Sequence, residues 1–107
     1  MFIRNVPRLA AFSPAGMGKS TIARGDYMFA GLNAFEPGQE HAPHAHENQD
    51  KLYLVLEGSG TVQIGDETEH LSVGDAAFAP SGVMHSIHNT SAQRLVVMAI
   101  LAPPPRA

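Results

Sequence analysis

Turn-forming clusters recur at close intervals along most of this chain. They are Arg24-Gly25-Asp26, Glu36-Pro37-Gly38, Gly58-Ser59-Gly60, Gly65-Asp66-Glu67, Val73-Gly74-Asp75 and Pro80-Ser81-Gly82. The stretches between them are mostly too short for helices and are rich in apolar and β-branched residues, which is the signature of strands. The pattern predicts strands at 21–23, 27–35, 42–46, 51–57, 61–64, 68–71, 76–79, 84–88 and 94–101. No stretch repeats its apolar residues at the helical period. Short strands at this spacing fold as an all-β sandwich or barrel. The 107 residues suffice for one domain. The expected organisation is an amino-terminal arm over 1–16, interrupted by Pro7 and Pro14, one barrel domain over 17–102, and an exposed tail over 103–107. In the tail, Pro103-Pro104-Pro105 has no N–H to continue a ladder.

Composition removes several functions. With no cysteine there can be no disulfide framework, thiolate metal site or cysteine nucleophile, and a reducing, cytoplasmic setting is expected. A net charge of -3 without a basic run gives no electrostatic case for nucleic acid or an anionic membrane. No apolar run approaches the roughly 20 residues that span a bilayer, and the first residues lack a signal-peptide core. Hydrophobic residues make up 44% and charged residues only 16%, so the chain is expected to bury surface beyond its own core. Leu52, Leu54 and Leu56 alternate with Tyr53 and Val55. Both faces of that strand are therefore apolar, and the outer one needs a second sheet or a second subunit to cover it, so a homodimer is expected.

Gly16-Met17-Gly18-Lys19-Ser20 holds part of a phosphate-loop pattern. Ser13 stands where the pattern needs its first glycine, and strand-like sequence follows where it needs a helix, so a turn between strands is the better reading. The chemistry concentrates instead at His44 and His46. Two residues apart on a strand, they would share one face with Cα atoms about 6.6 Å apart, close enough to converge on one metal ion or ligand. Either could be an ordinary polar residue near a loop. Lys51 alternates in phase with Tyr53 and Val55 and is expected to point into the barrel, where Tyr53 is either core or a proton donor and Lys51 an acid–base or anion-orienting group. Phe78 and Met84 read as pocket wall and core. His41 reads as a solvated loop residue unless Pro43 bulges the strand and brings it to the site. His70 and His88 read as outward-facing.

At this point the chain resembles the cupin superfamily, specifically its small single-domain members. Gly38, His44, His46 and Gly58 fall on the first cupin motif, G-x5-H-x-H-x(3,4)-E-x6-G. Gly74, Pro80, Gly82, His85 and Asn89 fit the second, G-x5-P-x-G-x2-H-x3-N, at every position. The resemblance implies a jelly-roll β-barrel of two packed antiparallel sheets. It also implies a metal held by His44, His46 and His85, and imidazoles plus water suit zinc, iron, manganese, nickel or copper. The departure is at Lys51, which stands where the family has its glutamate. Asp50, Gln49 or Glu47 could slip into that place by a local bulge, with His41 a further candidate. The metal could instead keep three histidines and water, which is the favoured arrangement. In a third arrangement the pocket is metal-free and Lys51 pairs with an anion. The functions that follow are a metal-dependent dioxygenase, lyase or isomerase acting on a small, anionic organic substrate, or a binding or sensor module without chemistry. A structural or storage role fits the polar cluster least well.

Overall fold

The computed structural model describes residues 1–106. Ala107, the last residue of the expected tail, lies outside the described residues. Nine strands follow a single 3-10 turn at Val6–Leu9: β1 Gly18–Arg24, β2 Phe29–Phe35, β3 Glu40–His44, β4 Asp50–Glu57, β5 Ser59–Ile64, β6 Glu67–Ser72, β7 Ala76–Ala79, β8 His85–His88 and β9 Leu95–Ala102. They form a five-stranded sheet in the order β1-β2-β9-β4-β7 and a four-stranded sheet in the order β3-β8-β5-β6. Every pairing is antiparallel. This is the expected all-β, jelly-roll arrangement of two packed sheets. Among the described residues no helix is long and apolar enough to cross a membrane.

The core lies between the sheets. Phe35, Tyr53, Val55, Leu95 and Val97 from the larger sheet meet Val62 and Ile87 from the smaller one. Strand alternation produces this sorting: in β4, Lys51, Tyr53 and Val55 are buried, while Leu52 is exposed and Leu54 and Leu56 are half-buried. Phe78 and Met84 depart from the expected wall-and-core placement, at 52% and 48% exposed. Phe78 is the cross-strand partner of Leu52 and so shares its outward face. Met84 directly precedes the inward His85. His70 and His88 are exposed, as alternation requires.

The expected turn lies just upstream, at Pro14-Ala15 and closed by a Ser13–Gly16 bridge, while Gly18-Lys19-Ser20 already form the start of β1 and no helix follows. Near the ends of the chain, the amino-terminal segment packs on its own barrel at two points: the Ser20 hydroxyl donates to the Leu9 carbonyl at 2.8 Å, and the Arg94 guanidinium lies over the Phe12 ring at 4.2 Å. After β9 the chain turns back across one end of the barrel. There the Gln49 amide donates to the Pro103 carbonyl at 3.1 Å and Arg24 donates to the Pro105 carbonyl. Pro104 and Pro105 are half-buried as a result.

Two motif residues have purely structural explanations. Gly58 turns β4 into β5 with φ of 73°, and a Cβ there would lie 2.1 Å from the Arg94 carbonyl oxygen, so no other residue fits. Asn89 is fully buried. Its amide nitrogen donates to the Phe35 carbonyl at 3.2 Å and the Gln93 carbonyl at 2.8 Å, while its oxygen accepts from the Ser91 amide at 3.1 Å and hydroxyl at 2.8 Å. One side chain thus satisfies four groups of the β2 end and the β8–β9 loop. Asn89→Ala removes all four partners at once and is expected to cost about 2 kcal/mol or more of stability, read as a lower urea midpoint with unchanged m-value. An unshifted midpoint would refute this role.

Candidate metal centre

His44 and His85 are directly opposed Cα partners in the β3–β8 pairing, so both rings emerge on one face. His41 is opposite Ile87, a fully buried core residue, and therefore also points inward. In a regular strand, residues three apart face opposite sides. A register shift between His41 and His44, at the Ala42-Pro43 step where proline has no N–H for the ladder, resets the phase. His41 is consequently half-buried in the wall, its ring 4.0 Å from that of His44, rather than solvated in a loop as its phase alone indicated.

The sequence placed His46 on the same strand as His44. In the structure β3 ends at His44, and His46 occupies the following loop, exposed. That loop is tied to the turn before His85: the Gly82 amide donates to the His46 carbonyl at 2.9 Å, and the Asn48 amide donates to the Ser81 hydroxyl at 2.7 Å. The Ser81 amide in turn donates to the Asp50 carboxylate at 3.0 Å. Both motif segments are thereby held as one unit. The rings of His44 and His85 lie 4.1 Å apart, those of His44 and His46 5.1 Å, and those of His46 and His85 6.0 Å. One nitrogen of each lies within 4.8 Å of the others, a group able to coordinate a metal ion.

The ring nitrogens are already sorted for that task. His44 Nδ1 stands 2.7 Å from the Ala42 carbonyl and His85 Nδ1 2.9 Å from the Val83 carbonyl. A carbonyl only accepts, so each Nδ1 carries the proton and each Nε2 presents its lone pair. Both Nε2 atoms are buried without a protein partner. Leaving such atoms unpaired is costly, and a cation between them satisfies both, with the carbonyls acting as the outer partners that orient the ligands. The three imidazoles fit a divalent metal. Among the described residues, the carboxylates of Glu47 and Asp50 and the ring of His41 stand outside the group. Asp50 is occupied with the Ser81 amide and Gln49 with the tail.

His44 and His46 line a cavity of about 1010 Å³ whose wall also includes His41, Phe29, Asn33, Lys51 and Leu101, with tail residues 103–106 in its lining. Burial, joined by the charges of His44 and Lys51, brings His41 down to about 3. Burial likewise brings His85 down to about 4, against the pull of its carbonyl bond, and lowers His44 too. Lys51 points inward as its phase required, only 6% exposed, with its ammonium 5.0 Å from the centre of the Tyr53 ring. Burial, followed by the charge of Lys19, brings it down to about 8. Tyr53 is fully buried in the core, 5.9 Å from the His85 ring, with an unpartnered hydroxyl whose pKa burial raises. Sequence reasoning did not find Lys19, Asn33 or the tail as cavity residues. Lys19 and Asn33 are cross-strand partners, but the β1–β2 register that makes them so is not written in either segment.

The sequence profile of the cupin domain matches residues 31–101, which hold both histidine segments and nearly all of the barrel. The chain belongs to the cupin family. Among solved cupin-like folds, the TT1209 protein of Thermus thermophilus superposes with a TM-score of 0.93 at 39% identity, covering 98% of this chain and 100% of that one. An uncharacterised Streptomyces coelicolor protein is 34% identical over 79 residues, 72% of this cupin and 71% of the relative. An oxalate-binding protein of Thermotoga maritima is 32% identical over 65 residues, 61% of this chain and 54% of that protein. The cupin thus spans about half the length of the Thermotoga relative.

The depressed histidines link stability to pH. In the metal-free fold His41 and His85 stay neutral down to about 3 and about 4, whereas in the unfolded chain they take up protons below 6.5. Their contribution is fully present above pH 6.5 and is lost as pH falls towards about 4, because there the unfolded state binds more protons. Urea midpoints between about pH 7.5 and about pH 4.5 are expected to fall more steeply for the metal-free wild type than for His41→Gln. Equal slopes would remove His41 from this account.

Proposed function

We propose that this cupin is a metal-dependent enzyme acting on a small anionic organic molecule in the barrel cavity. The observation that carries the reading is the pair of buried, unpartnered Nε2 atoms of His44 and His85 beside His46. His44, His46 and His85 would hold one divalent zinc, iron, manganese, nickel or copper ion. Such an ion supplies Lewis-acid polarisation of a substrate oxygen or, with a redox-active element, oxygen chemistry, so the reaction belongs to the dioxygenase, lyase or isomerase classes. With Lys51 at the glutamate position all three ligands are neutral, and the ion keeps its full charge towards a substrate anion. In this reading Lys51 orients that anion from the wall. Tyr53 is a core residue outside the cavity lining, and burial raises its pKa, so any part it takes is as a hydrogen donor.

Metal analysis of tag-free protein is expected to give about one ion per chain, lost in both His44→Ala and His85→Ala. Protein that takes up no metal even after reloading would end the metalloenzyme reading. A second reading, a binding module without chemistry, is favoured by the Thermotoga relative, which is named for binding oxalate rather than for converting it. Oxalate recovered unchanged after incubation with metal-loaded protein that binds it would support the module, and turnover would support the enzyme.

The outer face of the larger sheet supports a homodimer. Leu52 has Phe78 and Ile100 as its cross-strand partners, Leu54 has Met98, and Leu52 and Phe78 are 37% and 52% exposed. A second copy covering this apolar face removes it from water. Light scattering is expected to return twice the chain mass for the wild type and the monomer mass for Leu52→Glu/Phe78→Glu. A monomeric wild type would dispose of the dimer.

A further inference from the structure

The cavity is more cationic than the molecule around it. The chain carries a net charge of -3, yet among the described residues Lys19, Lys51 and Arg106 line the cavity against a single lining carboxylate, Glu47. Glu47 is exposed, and its oxygens stand beside Gly82 in the turn before His85. Lys51 is the anomaly. A lysine so nearly enclosed ordinarily has an acidic partner, because removing an ammonium from water is costly unless it is paired. Among the described residues, no carboxylate forms an ion pair with Lys51. Arg94 and Glu36 form such a pair at 2.9 Å on the surface.

The strands between the two lysines explain how they reach one space. Lys19 lies on β1, opposite Asn33 of β2, which is 7% exposed. Lys51 lies on β4, opposite Leu101 of β9. Gly31 of β2 and Ala99 of β9 are cross-strand partners between them and also line the cavity. These small residues leave the floor open between Lys51, which is buried, and Lys19, which is exposed at the edge of the cavity and whose long stem can lie along apolar surface. The Lys19 charge is felt at Lys51 and also at His41 and His44. The Tyr53 ring is near both groups, 5.0 Å from the Lys51 ammonium and 5.9 Å from the His85 ring.

We propose that Lys51 and Lys19, with the Asn33 amide beside them, form a carboxylate-binding subsite that takes one end of a small organic acid whose second oxygen group faces the histidine cluster. This deepens the small-anion reading above and rests on it for the role of the histidines. The subsite itself needs no metal. The ligand is the counter-ion that Lys51 lacks among the described residues. A carboxylate suits the place better than a phosphate because Leu101, the cross-strand partner of Lys51, and the neighbouring lining residues Phe29 and Ala99 are apolar. A singly charged group is desolvated there at lower cost than a doubly charged one.

The test is titration calorimetry on chelator-treated, metal-free, full-length protein near neutral pH, with malonate as the probe, malonamide as its uncharged counterpart and inorganic phosphate as the competing anion. Malonate is expected to bind, malonamide not to bind, and Lys51→Met and Lys19→Met each to weaken malonate by about tenfold or more. Lys51→Met replaces a buried charge with an apolar chain of similar reach, so its thermal midpoint is expected to match or exceed the wild type. Loss of malonate binding in a folded Lys51→Met therefore reports the subsite and not unfolding. Malonate binding that is absent in the wild type, or unchanged in folded Lys51→Met, overturns the proposal. Phosphate binding tighter than malonate overturns the assignment to a carboxylate. His44→Ala is expected to keep malonate affinity in the metal-free state. Protein that binds malonate but takes up no metal leaves this subsite standing and removes the metalloenzyme, and protein that takes up metal but no malonate does the reverse.

Discussion

The candidate site depends on one register: His44 directly opposite His85 across the β3–β8 ladder. That pairing brings imidazoles from the two sequence motifs onto one wall, and the backbone carbonyls of Ala42 and Val83 then fix the proton on each Nδ1. The Nε2 lone pairs are thus aimed by backbone geometry alone, which is the sense in which the cluster is preorganised for coordination. The Gly82–His46 and Asn48–Ser81 hydrogen bonds do the equivalent work for the loop histidine, coupling the β3–β4 loop to the β7–β8 turn. With those links made, the rest of the smaller sheet serves to hold β8 at the correct height, and the larger sheet supplies the cavity floor.

The larger sheet departs from a purely apolar interior at Lys51 and Asn33, both buried on its inner face. Polar groups at such positions lower stability unless something pairs with them. Lys51 sits over Tyr53, and the aromatic face offsets part of the cost, but the ammonium has no acidic partner among the described residues. Stability is given up on this cavity wall, while Val55, Val97 and Phe35 a few residues away pack as ordinary core.

Much of this was legible in the chain. Turn chemistry at glycine, proline and aspartate located the strands, and strict alternation in β4 placed Lys51, Tyr53 and Val55 inward, because both signals are local. The motif residues Gly74, Pro80, Gly82, His85 and Asn89 carried the fold as a set. What failed was phase across irregularities. The bulge at Ala42-Pro43 turned His41 inward and ended β3 two residues early, leaving His46 in a loop. Phe78 was misplaced because a four-residue strand has too few alternations to fix its facing, which its partner Leu52 decides, and Met84 because it lies before β8, next to the inward His85. Lys19 joined the cavity through a cross-strand register, a property of two segments that neither contains alone.

The proline run that leaves β9 and curves along the edge of the cavity has a consequence for traffic into the barrel. Pro103, Pro104 and Pro105 have no N–H groups, and the carbonyls of Pro103 and Pro105 are engaged by Gln49 and Arg24. That part of the rim is stiff and has little hydrogen bonding to spare for a passing solute. At this edge the polar contacts open to a solute come from side chains such as Arg106 rather than from backbone donors.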